Sequence, residues 1–283
     1  MTRNWRLDDG RQTLALASVN GRCPQIVYWG PPLPASEDLS SLVQTATLDV
    51  TGGMLDENPD LSICPEASRS FPGQPGIVVR DQDGTPLLPK FKLKQVEQND
   101  LHLSVTCVDV ANRLTYVARF DLDPESHVIV ATAELQADRP LHLHWLAAPV
   151  FPAPQHSDVL IDFAGRWCGE FQLNRTAWSP GIRYRENRTG RTGHEHFPGL
   201  MIPSRGATNA TGETFAFHYG WSGGHRMIAE ELPDGRRQIQ FGHAARMETA
   251  AATRFATAPL YAVYSSDGLN GAAVSYQRHL RDR

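Results

Sequence analysis

Apolar and polar residues alternate along most of the chain. In the segment 101–109, positions 101, 103, 105 and 107 are apolar, and positions 102, 104 and 106 are polar. A period of two places one face of an extended strand in a core and the other face toward water. The same pattern predicts further strands at 91–94, 114–116, 128–135, 141–145 and 214–219.

Turn-forming residues separate the alternating segments. Pro233-Asp234-Gly235 lies between the segments 227–232 and 237–241, and this arrangement predicts a β-hairpin. Strands at this spacing, with no helical pattern between them, favour antiparallel packed sheets over a doubly wound sheet or a barrel of βα units. The long irregular stretch 51–76 is a candidate functional or interface loop.

One amphipathic helix is predicted at the end of the chain, over 266–283. Ser266 or Asp267 can cap its start, and basic residues near its end suit the negative end of the helix dipole. We expect its apolar stripe to pack against this domain or a following one. The stripe consists of Leu269, Ala272, Ala273, Tyr276 and Leu280.

Composition excludes several classes of function. The 283 residues include 27 basic and 31 acidic side chains, a formal net charge of −4, which is no footprint for nucleic acid or an anionic membrane. No apolar run approaches the roughly 18 residues of a membrane span. The first residues are acidic where a signal peptide needs an apolar core, so we expect a cytoplasmic protein.

The four cysteines are widely spaced and include no Cys-x-x-Cys pair. We expect buried thiols instead of disulfides or zinc ligands. They are Cys23, Cys64, Cys107 and Cys168.

The segment 183–198 is the most polar part of the chain. Its arginines, carboxylates and histidines could bind a polyhydroxyl ligand, but a crossover loop tied together by its own Arg–Glu bonds is the favoured interpretation. The pairs His194 and His196, and His142 and His144, each place two imidazoles on one face of an extended chain. Neither pair has a clear third ligand, so no metal site is predicted.

Two tryptophans stand beside polar residues and glycines. Trp167 could be a platform for a sugar face, although a core position is the favoured interpretation. Trp221 lies between Gly220 and Gly223, which indicates a turn with close approach.

No catalytic group can be located from the residues alone. Glycoside hydrolysis needs two carboxylates held across one bond, and the sequence singles out no such pair. A Gly-x-Ser-x-Gly elbow, a phosphate loop and a dinucleotide fingerprint are all missing from the sequence, so no cofactor is predicted.

An ordered set of motifs nevertheless resembles a known family. The set resembles the N-terminal domain of the α-galactosidases of glycoside hydrolase family 36, over essentially the whole chain. In order, the motifs are Trp29-Gly-Pro-Pro-Leu-Pro, Gly53-Met-Leu-Asp-Glu-Asn-Pro, Pro65-Glu66, Arg166-Trp…Glu170, Glu186-Asn-Arg-Thr-Gly-Arg-Thr-Gly-His-Glu-His-Phe-Pro, Tyr219-Gly-Trp-Ser-Gly, Ala258-Pro-Leu-Tyr-Ala-Val-Tyr-Ser, Gly268-Leu-Asn-Gly and Tyr276-Gln-Arg-His-Leu-Arg.

The resemblance implies an all-β fold, the β-supersandwich shared with galactose mutarotase-like proteins, over 1–265. The helix over 266–283 would connect it to a (β/α)₈ barrel that holds both catalytic aspartates. The sequence stops at Arg283, so no catalytic residue is predicted, and we expect these residues to be inactive alone. The resemblance also implies α-galactoside substrates such as melibiose or raffinose, loops that shape the sugar pocket, and a homo-oligomer.

The resemblance supplies candidate substrate-binding residues. Asp56 in Met-Leu-Asp is the first and Glu66 the second. The family's Asp-Phe-Arg element has no counterpart here, where 76–80 reads Gly-Ile-Val-Val-Arg, so no substrate-contacting arginine is carried over. The full candidate set is Asp56, Glu66, Trp167, His194, His196 and Trp221.

Two other functions stay open from the sequence. A mutarotase-like epimerase would need a histidine acid and a carboxylate base across one pocket, with His142, His144 and His218 as candidates. A free-standing carbohydrate-binding or assembly module would need Trp167 or Trp221 exposed beside polar groups.

Overall fold

The structure is a computed structural model of the chain, and it describes residues 1–46, 59–244 and 250–282. Two α-helices, a short 3₁₀ turn at Ala67–Arg69 and nineteen strands make up the described ranges. The helices are α1 (Leu39–Ala46) and α2 (Gly268–Arg281). The strands are β1 (Thr2–Asp8), β2 (Thr13–Val19), β3 (Gln25–Gly30), β4 (Ile77–Arg80), β5 (Pro86–Leu87), β6 (Lys92–Gln98), β7 (His102–Asp109), β8 (Leu114–Asp123), β9 (Val128–Leu146), β10 (Phe151–Pro152), β11 (Val159–Arg166), β12 (Gly169–Ala177), β13 (Gly181–Asn187), β14 (Gly199–Pro203), β15 (Thr214–Tyr219), β16 (His225–Glu231), β17 (Arg237–His243), β18 (Ala252–Ala256) and β19 (Leu260–Ser265).

One large sheet of twelve strands forms the body of the fold. Its main path is β12–β11–β14–β15–β19–β9–β8–β7–β6, and β18, β4 and β5 extend it alongside β9. A four-stranded sheet has the order β10–β17–β16–β13, and a three-stranded sheet has the order β1–β2–β3. The paired strands run antiparallel. The predicted all-β supersandwich of antiparallel sheets is confirmed, as is the hairpin of β16 and β17.

The strand β9 is the spine of the large sheet. The sequence predicted two strands, at 128–135 and 141–145, but the structure joins them into one strand of 19 residues. Pairing with β8 ends at Ala137, and pairing with β4 begins at His142. Pro140 has no N–H to donate, so its position between the two ladders lets the backbone stay extended without losing a bond.

The core lies where the three sheets meet. The indole of Trp29, on β3, packs edge-on against Phe151 of β10 at 5.0 Å and against Phe215 and Phe217 of β15 at 5.1 and 5.5 Å between ring centroids. Its N–H donates to Gln12 Oε1 at 2.9 Å, so the one polar atom of this buried ring has a partner.

The helix α2 packs on the outer face of the large sheet, over β19 and β15. Its Ala272 lies among Val128, Ala216 and Val263, as the apolar stripe predicted. The first helical N–H groups are bonded by the turn at 208–212: Leu269 N donates to Thr208 O at 3.1 Å and Asn270 N to Asn209 O at 2.9 Å. Of the two predicted caps, Asp267 is the residue at the N-cap position, and its side chain makes no capping bond.

The last turn of α2 departs from the predicted stripe. Leu280 is 76% exposed, whereas His279 is buried. The helix here reaches past the apolar part of the sheet to the polar turn between β8 and β9. The polar side chains of Asp123 and Ser126 at this turn can hydrogen-bond to the imidazole of His279, whereas a leucine side chain could not use them.

Two other predictions need correction. Residues 183–187, predicted as part of the crossover loop 183–198, belong to the strand β13, which pairs in register with β16. Its charged side chains sit on a strand because they are paired across to another sheet, as described below. Cys23, Cys64 and Cys107 are buried as predicted, but Cys168 is exposed because it lies in a hairpin turn.

No helix in the described ranges has both the length and the apolar content that a membrane crossing requires.

Candidate functional site

The hairpin of β11 and β12 presents an exposed aromatic ring at its tip. β11 ends at Arg166 and β12 begins at Gly169, so Trp167 and Cys168 form the turn. Cys168 adopts a left-handed backbone (φ 60°), which reverses the chain within two residues. Trp167 is therefore 79% exposed and is not a core residue, contrary to the favoured interpretation.

A second segment, the connection 188–198 after β13, reaches the same tip. The ring of His194 lies 6.3 Å from that of Trp167, edge to face at 65°. The carboxylate of Glu170 accepts a hydrogen bond from Cys168 N at 3.0 Å. The pKa of Glu170 is lowered by backbone N–H groups, its own and that of Cys168, and further by nearby His194. An aromatic face with an imidazole and a carboxylate beside it can contact both the apolar face and the hydroxyls of a sugar.

A buried carboxylate ties the hairpin to β13. Asp162 on β11 is almost fully buried, and its Oδ2 accepts from Arg183 Nη2 at 2.8 Å and from Arg185 Nε at 2.9 Å. Its Oδ1 accepts from Asn174 Nδ2, on β12, at 3.1 Å. Because β11 is the second strand from one edge of the large sheet and β13 is an edge strand of the four-stranded sheet, this cluster joins the two sheets.

The same cluster reaches His196. Arg185 Nη1 lies 3.3 Å from His196 Nδ1. His196 lines a shallow depression of about 560 Å³ with Arg183, Arg185, Arg188 and neighbours on β13. Glu186, in the wall of this depression, pairs with Arg188 and with Arg226, whose Nη2 lies 2.7 Å from Glu186 Oε1. Donors therefore dominate the depression.

Trp221 supports the connection from the other side. Its ring stacks on His243 at 4.7 Å with an interplanar angle of 8°, and it remains 42% exposed. Thr192 Oγ1 donates to Trp221 O at 3.2 Å, and Thr192 N donates to Ser222 O at 2.6 Å. A Cβ at Gly223 would lie 2.4 Å from Trp221 Nε1, so the close approach inferred from the flanking glycines is real.

Comparison with known proteins decides the family. Residues 22–248 match the family model described as the glycosyl hydrolase family 36 N-terminal domain. This chain belongs to that family. It is 33% identical over 267 residues to an α-galactosidase of Escherichia coli, covering 91% of this chain and 36% of that protein.

Solved structures of family 36 α-galactosidases share the fold. That of AgaA from Geobacillus stearothermophilus, in complex with 1-deoxygalactonojirimycin, superposes with a TM-score of 0.85 at 18% identity, over 99% of this chain and 43% of that one. The α-galactosidase of Lactobacillus brevis gives a TM-score of 0.83 at 19% identity, over 97% and 42%. The chain thus spans well under half the length of each relative.

The family 36 resemblance supplied two candidate substrate-binding residues, Glu66 and Asp56, and neither is seen at the tip of the β11–β12 hairpin. Glu66 is buried, where it accepts from Arg69 Nε at 2.5 Å and from Phe91 N. Burial raises the pKa of Glu66, against the lowering effect of the Phe91 N–H and Arg69. Its carboxylate thus joins the 3₁₀ turn to the start of β6, and its sugar contact stays a prediction. Asp56 lies outside the described residues.

The candidate acid histidines His142 and His218 of this family 36 chain do not lie in one pocket. His142 pairs with Arg80 on β4, whereas His218 pairs with Gly199 and Tyr261 at the opposite end of the large sheet. His142 and His144 lie on the polar face of β9 as predicted, opposite buried Leu141, Leu143 and Trp145. Within the described ranges, no three His, Cys, Asp or Glu side chains are grouped to hold a metal ion.

The structure therefore places Trp167 beside His194. His196, two residues further along, lines the depression beside β13, and Trp221 lies behind the same connection. Sequence reasoning missed Asp162, although one signal was present. Asp162 is a single carboxylate among the apolar residues Leu160, Ile161 and Phe163, and a carboxylate buried with such neighbours needs a partner.

Proposed function

We propose that this chain is the N-terminal accessory domain of an α-galactosidase that releases terminal α-galactose from sugars such as melibiose and raffinose. Family membership supports the proposal, as do the α-galactosidase relatives that extend well beyond the matched region. AgaA has been crystallised with raffinose and with stachyose. The catalytic groups would belong to a (β/α)₈ domain that follows α2 in the whole enzyme.

One observation carries this proposal: an uncovered apolar row beside α2 on the outer face of the large sheet. Phe163 and Leu173 are cross-strand partners on β11 and β12, so both point to one face. Phe197 packs edge-on against Phe163 at 6.0 Å and against Phe171 at 5.5 Å. Phe171 and Leu173 are 63% and 49% exposed.

The row runs on from Phe197 to the helix. His218 lies 5.0 Å from Phe197 and 6.4 Å from Tyr276 of α2, between ring centroids. Large exposed apolar side chains in a continuous row mark a protein–protein contact. A domain that continues from α2 would start beside this row, so the row is the surface on which we expect it to pack.

The tip of the β11–β12 hairpin would contribute to the sugar pocket. Trp167, His194 and His196 supply a stacking face and hydrogen-bonding groups, and Trp221 supports the connection that carries the histidines. The proposal includes a homo-oligomer, in which such a tip can reach a neighbouring subunit. It also includes a cytoplasmic location, which the four free cysteines support.

The decisive experiment compares three purified proteins with a nitrophenyl α-galactoside. They are this chain, the catalytic segment of the E. coli relative, and the two joined after α2. We expect no galactose release by this chain alone and release by the joined protein above that of the catalytic segment. Hydrolysis by this chain alone would overturn the accessory role.

The apolar row has a test of its own in the joined protein. Phe171→Ser with Leu173→Ser should separate one cooperative unfolding transition into two, because the domains no longer share a packed interface. Val110→Ser is the matched control, since Val110 is 83% exposed at the turn between β7 and β8, away from the row. Equal behaviour of the two variants would count against the docking surface.

A free-standing carbohydrate-binding module is the second candidate, favoured by the exposure of Trp167 and Trp221. Calorimetry of this chain with galactose and raffinose separates it from the accessory role. Sugar binding that is lost in Trp167→Ala would support the carbohydrate-binding module. The absence of binding heat with either sugar would count against the module and favour the accessory role.

A further inference from the structure

Arg185 can contact His196 in only one protonation state of the imidazole. A guanidinium has five N–H donors and no acceptor. Its Nη1 lies 3.3 Å from His196 Nδ1, so Nδ1 must offer a lone pair to accept this hydrogen bond. The ring is then neutral, and its proton is on Nε2.

Arg185 is itself held by a buried anion. Its Nε donates to Asp162 Oδ2 at 2.9 Å, and Asp162 is almost fully removed from water. Arg183 binds the same oxygen at 2.8 Å, so one carboxylate serves two guanidiniums.

The hydrogen-bonding order therefore runs from Asp162 through Arg185 to His196. We propose that Asp162 and Arg185 are positioning residues that fix His196 as the Nε2–H tautomer, which presents one N–H donor to a hydroxyl oxygen of a bound sugar. The inference rests on the proposed function for the identity of the ligand. The tautomer itself can be measured without any ligand.

The chemistry of the depression agrees with such a ligand. Arg183, Arg185 and Arg188 line it with His196, so its wall offers donors. Hydroxyl and ring oxygens of a neutral sugar accept hydrogen bonds from such a wall. A neutral imidazole with a fixed donor adds direction to the contact without adding charge.

The test is a long-range ¹H–¹⁵N spectrum of the histidines in the ¹⁵N-labelled chain, recorded at about pH 8, where imidazoles are mostly neutral. His196 is assigned by the signal that disappears in His196→Gln. We expect its Nδ1 at the shift of an unprotonated nitrogen and its Nε2 at that of a protonated one. Arg185→Met and Asp162→Asn should each shift both signals toward a mixture of the two tautomers.

Arg188→Met is the matched control, because Arg188 lines the same depression and pairs with Glu186 without contacting His196 in the described hydrogen bonds. It should leave the His196 signals in place. Arg185→Met keeps the Asp162–Arg183 pair, so it tests the contact even where Asp162→Asn does not fold. A proton on Nδ1 in the unsubstituted chain, or an unchanged tautomer in Arg185→Met, would overturn the inference. Neither result bears on α-galactoside hydrolysis, so failure here is distinguishable from failure of the proposed function.

Discussion

The imidazole of His279, in the last turn of α2, lies 3.0 Å from Asp123 Oδ2 at the end of β8. The same Nδ1 lies 3.0 Å from Ser126 Oγ in the turn that follows. Because the backbone of the turn 208–212 also holds the start of α2, the helix is attached to the sheet at both ends. It is built as a fixed extension of the domain and not as a flexible tether.

His279→Ala should lower the free energy of unfolding by about 1–3 kcal/mol, because it removes one of the hydrogen-bond partners of the buried Asp123. Leu280→Ala, one residue on, should change it by no more than about 0.5 kcal/mol, since Leu280 is exposed. Urea unfolding followed by circular dichroism measures both. Similar losses in the two variants would contradict the buried position of His279.

Asp123 gives the domain a specific sensitivity to acid. Burial by itself raises the pKa of Asp123, but hydrogen bonds from Ser126, Glu125 N–H and His279 outweigh it and lower the pKa from 3.8 to about 2. A carboxyl whose folded pKa is depressed stabilises the fold above its unfolded pKa and loses that contribution as pH falls through the folded pKa.

The stability difference between the unsubstituted chain and Asp123→Asn should therefore be largest above about pH 4, at about 2 kcal/mol, and shrink toward pH 2. Unfolding curves of both proteins at several pH values give the difference directly. A difference that stays constant across this range would show that Asp123 does not titrate in it.

Replacement by alanine should lower the stability of the fold strongly at one tryptophan and hardly at all at another. Trp29→Ala removes a buried ring that three phenylalanines contact, and we expect a loss of about 3–5 kcal/mol in stability. Trp167→Ala removes an exposed ring at a hairpin tip and should change stability by less than about 0.5 kcal/mol. Thermal or urea unfolding distinguishes them. A large loss for Trp167→Ala would place that ring in a core.

The thiols should divide into one reactive and three protected groups. Cys168 is exposed, whereas Cys23, Cys64 and Cys107 are buried. A hydrogen bond with Cys107, together with burial, raises the pKa of Cys23, and burial raises that of Cys64, so neither forms a thiolate readily. A chromogenic disulfide reagent should titrate one thiol in the native chain and all four in denaturant.

Cys168→Ser is the control for that titration, and it should abolish the native reaction while leaving three thiols in denaturant. Rapid reaction of a second thiol in the native chain would contradict the buried cluster.

The alternation of apolar and polar residues was enough to predict the sheets, because a period of two is a local property of an extended chain. The hairpin at 227–241 followed from its turn residues, and the terminal helix from its apolar spacing. The order of short motifs was enough to predict the family. These features need only neighbours in sequence, or their order.

Contacts between distant segments were decided by the tertiary structure. Asp162 meets Arg183 and Arg185 only because the large sheet and the four-stranded sheet come together there, and no spacing in the sequence encodes that meeting. The helical pattern placed Leu280 on the buried face, but the surface beneath the last turn is polar, so His279 is the residue that is buried. Trp167 could have belonged to a core strand by composition; the two-residue turn at Cys168 places it in water. In each case the free energy depends on what the fold sets opposite the side chain, and the residue's own chemistry does not contain that information.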